Sequence, residues 1–124
     1  MKKLNHKKYF DAVEKEFPTI AEGIKSNREF GDHISMEDFA MYTKIQIENK
    51  NYEELERCFQ FQEDRIDGMN DGLKNALLVS YCESLMLGHM GKEMKTLKHK
   101  LPPKLLKEYE FYENYYDSLG TDKN

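Results

Sequence analysis

Four histidines, two cysteines and a dense set of carboxylates are the side chains of this chain best suited to carry chemistry. Metal ligation needs several such groups converging at set spacings. His6, His33, His89 and His99 are scattered, with no His-x3-His and no Cys-x2-Cys. No metal site is expected, and each histidine reads as a surface or partly buried polar residue. The acidic run 63–71, closed by Gly72, resembles a calcium loop, which needs oxygen ligands at alternating positions and a bidentate acid at its twelfth. Counted from Asp67, the third position is Met69 and the twelfth is Leu78, so the motif fails. Helix capping plus a solvated acidic turn explains it.

Nucleophilic catalysis pairs Ser or Cys with His and an orienting acid, usually in a recognisable elbow. The sequence holds no G-x-S-x-G, no Gly-rich phosphate loop and no G-x-G-x-x-G. Glu53/Glu54 and Glu63/Asp64 are adjacent acids, and neighbours on a helix point in different directions. Cys82-Glu83 lies near His89 only by chance of sequence. Cys58 and Cys82 fall within apolar-periodic segments and read as small buried hydrophobes. Nothing argues for an enzyme; no catalytic residue, cofactor or small-molecule substrate is expected.

The elements that must hold these residues are helices. Asn5 caps a first helix with Tyr9, Phe10, Val13 and Phe17 on its apolar face. Pro18 resets the chain, and residues 19–26 read as a short helical turn carrying Ile20 and Ile24. The stretch 26–34, with Asn27, Gly31 and Asp32, reads as a loop. Ser35-Met-Glu-Asp38 is a cap signal for the next helix, whose face is Phe39, Tyr42 and Ile45 with Met41 beside them. Asn51-Tyr-Glu-Glu54 repeats that signal for a helix with Leu55, Cys58, Phe59 and Ile66 as its stripe. After the Gly68–Gly72 turn a helix runs over about 71–87, apolar around more than half its girth, which places it at the domain centre. A short basic helix over 92–100 follows. Pro102-Pro103 then opens a last helix with Leu105, Tyr109, Tyr112 and Tyr116 on one face and Leu106, Phe111 and Tyr115 beside it. No alternating strand pattern appears.

The fold class is therefore all-α. Short connectors make neighbouring helices antiparallel hairpins, packed as a compact bundle or a short HEAT/armadillo-like array. At 124 residues the chain fits one domain, taken as 1–119, with 120–124 a mobile tail. Fifteen aromatics (Tyr 8, Phe 7) supply the apolar area that disordered chains lack. The start is basic, but acids arrive before any apolar core of a signal peptide, and no run approaches a membrane span. No membrane partner is expected, and the expected address is the bacterial cytoplasm.

Charge is segregated along the chain. Residues 48–71 hold eight acids against three bases, residues 92–107 six lysines against one glutamate, and residues 108–117 four acids and no base. The formal net charge of −4 conceals this. The basic block (Lys92, Lys95, Lys98, Lys100, Lys104, Lys107) has no arginine and no interleaved aromatic to stack a base, so nucleic acid is only the alternative partner. The acidic stretches neighbour Tyr52, Phe61 and five aromatics over 109–116. Acids rimming aromatic anchors suit a basic protein partner. On charge and aromatic placement the expected contact set is Glu63, Asp64, Asp67, Asp71, Tyr112, Glu113 and Asp117.

The run 51–87, with Glu54-Leu55, Phe59, Asn75 and Glu83, resembles small all-helical bacterial immunity proteins of contact-dependent inhibition and related polymorphic toxin systems. The resemblance covers about a third of the chain and rests mainly on core-type residues. It implies stoichiometric inhibition of a cognate toxin domain, with nuclease toxins the best match because their clefts must attract phosphate.

Overall fold

The computed structural model describes residues 4–88 and 90–121. Among these the chain forms seven helices and no strand. They are α1 (His6–Glu16), α2 (Ala21–Asn27), α3 (Asp32–Glu48), α4 (Tyr52–Arg65), α5 (71–87), α6 (Gly91–Leu97) and α7 (Pro103–Thr121). Short 3-10 turns tighten several junctions, and a lone bridge pairs Leu4 with Met69, tying the N-terminal segment to the turn before α5. The all-α bundle is as the sequence implies. No helix among the described residues is long and apolar enough to cross a membrane. The expected mobile tail begins inside α7, and residues 122–124 and His89 lie outside the described residues.

Three asparagines start helices by the same chemistry. Asn5 Oδ1 accepts from the Lys8 amide at 2.9 Å, Asn70 Oδ1 from Leu73 at 2.9 Å, and Asn51 Oδ1 from Glu54 at a longer 3.5 Å. Each satisfies an amide that the helix itself leaves unpaired. The expected start at Ser35 is incorrect. α3 begins at Asp32, and Ser35 lies a turn inside it, fully buried, with its hydroxyl unpartnered. The expected 26–34 loop is correspondingly mostly helical: α2 runs to Asn27, and a 3-10 turn fills Arg28–Phe30.

Gly31 makes this start without any side-chain cap. Its φ of 104° and ψ of 176° fall in a region open essentially to glycine alone. Nothing lies within 4 Å of a Cβ built there, so backbone strain is the whole cost of a substitution. Gly31→Ala should lower unfolding free energy by about 1–3 kcal/mol, read from the urea midpoint; an unchanged midpoint would refute the strain. α3 ends with Lys50 at φ 56°, the Lys50 amide bonding Ile47 O and the Asn51 amide bonding Gln46 O. That is a Schellman closure with a lysine where glycine is usual.

The buried face of α3 also differs from the expected one. Met36, Phe39, Ala40, Thr43 and Ile47 face the core, while Met41 and Ile45 are exposed. α5 occupies the centre, packed on α3 and α7, with Leu73, Ala76, Leu77, Tyr81, Cys82 and Leu85 buried. Its middle, Leu77–Cys82, is π-helical. Apart from the Ser35 hydroxyl, side-chain polar atoms of this interior find partners: the Tyr9 hydroxyl donates to Gln62 Oε1 at 2.7 Å, and Thr43 Oγ1 meets Tyr81 OH at 2.9 Å. Cys58 and Cys82 are buried and free, as their apolar settings imply.

Candidate protein-binding surface

Folding brings the segregated charges together. Lys98 reaches Glu113 at 2.8 Å and Glu110 at 3.5 Å, Lys100 reaches Glu56 at 3.0 Å, and Lys104 pairs with Asp67. Lys74 lies 3.6 Å from Glu108 on α7. The basic block thus lies against acids on either side of it in sequence. Lys104 holds the Asp67 carboxyl below the ordinary carboxylate range. Both groups are well exposed, so water screens the pair.

Glu63 has a more specific task. Its Oε1 accepts from the Leu105 amide at 2.8 Å and its Oε2 from the Lys104 amide at 3.0 Å. Pro102 and Pro103 precede these amides and offer no side-chain acceptor. Glu63 therefore caps α7 from another helix, and its negative charge faces the positive end of the α7 dipole. Glu63→Ala should cost about 1–2 kcal/mol, and Glu63→Gln less, by thermal or urea denaturation. Equal stabilities across the three proteins would refute the cap.

The seven expected contact residues do not form one patch. Asp64, Asp67 and Asp71 are exposed near the start of α7. Asp64 accepts from Gln60 at 2.7 Å and borders a cleft of about 200 Å3. Arg57 and Arg65 also line it, their guanidiniums over the rings of Phe17 and Phe61 at 4.8 and 3.7 Å, and Arg57 is paired with Glu16 and Glu54. Tyr112, Glu113 and Asp117 lie further along α7, the last exposed. Glu113 is held by Lys98. Tyr112 is only 8% exposed; burial and the nearby Glu83 carboxylate raise its phenol pKa.

The aromatics left in the open are others. Phe111, Tyr115 and Leu119 follow one another at i, i+4 and i+8 with exposures of 61, 50 and 41%, and Tyr116 at 40% stands beside them. The Tyr115 ring lies 5.6 Å from that of Tyr112, which joins this stripe to α5 through Glu83. The sequence does place Phe111 and Tyr115 off the expected core face, and that offset is the signal for the stripe.

On the other side of α5 an open groove of about 310 Å3 separates it from α3. Glu37 and Lys44 line one wall, and Val79, Glu83, Ser84 and Leu87 the other. The Lys44 ammonium donates to the Ser84 carbonyl at 3.4 Å. Gly88 gives it room, since a Cβ there would stand 2.8 Å from Lys44 Nζ.

One constellation escaped the sequence because its members lie 47 residues apart. His33 Nδ1 is 2.8 Å from Ser80 Oγ, and Asn75 Nδ2 is 3.4 Å from His33 Nε2. Ser–His contact at this distance is what general-base activation requires. Ser80, however, is 4% exposed within the π-helical segment and borders neither the groove nor the cleft. The pair fastens the first turn of α3 to α5, as His6 Nδ1 and Asp32 Oδ1 at 2.6 Å fasten it to α1. Among the described residues no three His, Cys, Asp or Glu side chains converge as metal ligands.

A family model described as a domain of unknown function (DUF7674) matches residues 10–117, most of the chain. Comparison with curated proteins and with solved structures finds no match.

Proposed function

We propose a protein-binding function for this chain, which belongs to the DUF7674 family. In this reading it is an immunity protein that docks on a cognate bacterial toxin domain, a basic protein and on charge grounds a nuclease, and blocks it by occupying its surface. The observation that carries the binding function is the open stripe of Phe111, Tyr115, Tyr116 and Leu119 on α7. Aromatic side chains grouped at a surface cost free energy in water and supply hot-spot area when a partner covers them. The toxin as partner comes from the resemblance of residues 51–87 to immunity proteins, and the basic partner from the acids carried by α4 and α7. Within the expected contact set, Asp117 lies nearest the stripe in sequence, while Glu63, Tyr112 and Glu113 serve the fold.

Binding of nucleic acid through residues 92–107 has less support, because Lys98, Lys100 and Lys104 already face carboxylates. A salt-dependent shift of RNA or DNA by the purified chain would favour it instead.

The test is co-expression with a toxin domain, sought first in any toxin-like reading frame beside this gene. A one-to-one complex should form and suppress toxicity. Tyr115→Ala with Tyr116→Ala should weaken it by about 30-fold or more, the 2 kcal/mol typical of a hot spot, with unchanged circular dichroism. Absence of a complex would remove the immunity reading, and full affinity in the double variant would remove the stripe.

A further inference from the structure

We infer that the groove between α3 and α5 is a second part of the same docking surface, and that it receives a cationic amphipathic helix of the partner. The inference rests on the protein-binding reading above and adds the chemistry of what is bound. Three large apolar side chains on the groove's two helices are open to solvent: Met41 at 55%, Ile45 at 47% and Leu87 at 44%. Val79 adds an apolar wall inside it. A helix facing such a groove buries side chains spaced at i, i+3 or i+4 and i+7, and a methionine at the rim adapts to their shapes.

Charge selects the sign of the partner's polar face. Glu37 and Glu83 line the groove against a single cation, Lys44, and that ammonium already rests on the Ser84 carbonyl. An arriving lysine or arginine finds two carboxylates, whereas an arriving carboxylate finds one committed cation. A volume of about 310 Å3 sits at the bottom of the range of about 300–1,000 Å3 typical of small-molecule pockets and suits one or two inserted side chains.

Continuity joins this groove to the α7 stripe. Glu83 lines the groove and its charge also lies beside Tyr112, whose ring is 5.6 Å from that of Tyr115. Glu83, Tyr112 and Tyr115 therefore link the groove to the aromatic stripe as successive neighbours.

The probe is a synthetic amphipathic helix of leucine and lysine carrying a fluorophore, titrated with the full chain and followed by fluorescence anisotropy. The same helix with glutamate for lysine is the control. The lysine helix should bind and the glutamate helix should not. Leu87→Asp in the groove lining and Met41→Asp on the adjoining turn of α3 should each weaken binding by about tenfold, and Phe30→Asp, on neither helix of the groove, should leave it unchanged. Glu37→Lys, at an exposed position, should weaken binding and flatten its salt dependence even if an aspartate variant proves unstable. No binding of the lysine helix, equal binding of the glutamate helix, or binding lost only in Tyr115→Asp would overturn the inference. The immunity reading fails separately, through the toxin-domain co-expression. A toxin complex that forms while the groove variants keep full affinity sinks the groove alone.

Discussion

Between pH 9 and pH 10.5 the protein is expected to lose about 3 kcal/mol of stability through its two cysteines alone. Both thiols are fully buried, and burial pushes Cys58 up from an ordinary value of 9.0 to about 12 and Cys82 higher still. The unfolded chain releases these protons near pH 9, while the folded chain keeps them. The folded state then binds more protons than the unfolded one, so stability falls as pH rises, at about 1.4 kcal/mol per unit for each thiol. It is fully present below pH 9. Above pH 10 the phenols of Tyr9, Tyr81 and Tyr109, all raised by burial, add to the loss. Domains of this size carry about 5–15 kcal/mol in total, so the loss takes a large share of the whole. Urea melts at pH 8, 9 and 10.5 would show the midpoint falling, and falling less in a variant with alanine at both positions. A midpoint constant across that range would show that the thiols ionise within the fold.

Buried cysteines were legible in the sequence because each sits in a helical stripe among leucines and aromatics, and the same periodicity yields most of the core. Tyr9, Phe10, Val13 and Phe17 repeat at helical spacing and are all buried. Asn5 and Asn51 cap as expected because their signal is local, an amide oxygen within reach of a nearby backbone N–H. Ser35 carries an equally good local signal and is wrong, because Gly31 opens the helix a turn earlier through its backbone alone. Which side of α3 is buried is set by the helices packed on it, which a local signal does not carry, and Met41 and Ile45, expected on the buried side, lie in solvent.

Partners distant in sequence were not legible. The charge blocks stand out in one dimension as candidate surfaces, yet Lys98, Lys100 and Lys104 pair in three dimensions with Glu113, Glu56 and Asp67. Two of the expected contact residues, Glu63 and Glu113, are engaged in holding the fold. Among the five aromatics over 109–116, helical spacing separates Phe111 and Tyr115 from the core face but leaves Tyr116, expected on that face, 40% exposed and Tyr112, an expected contact, buried.

That distinction makes paired substitutions on two phenylalanines informative. Phe39→Ala should destabilise the protein by about 3–5 kcal/mol, whereas Phe111→Ala should stay within about 0.5 kcal/mol of the parent. Phe39 is fully buried on α3, and its ring lies 5.0 Å from Phe17, 5.5 Å from Phe61 and 5.4 Å from Tyr81. The end of α1, α4 and α5 therefore meet α3 through this one side chain. Truncation removes three edge or tilted ring contacts and leaves a cavity that three other helices would have to shift to fill. The expected fall in melting temperature is about 10–20 °C. Phe111 has the same side chain at 61% exposure, so its removal leaves no cavity. Its loss should register in partner affinity instead, since it opens the stripe proposed as the docking surface. A Phe39→Ala protein that melts with the parent would mean the aromatic cluster repacks. A Phe111→Ala protein that melts far below it would place that ring in the core and withdraw it from the docking face.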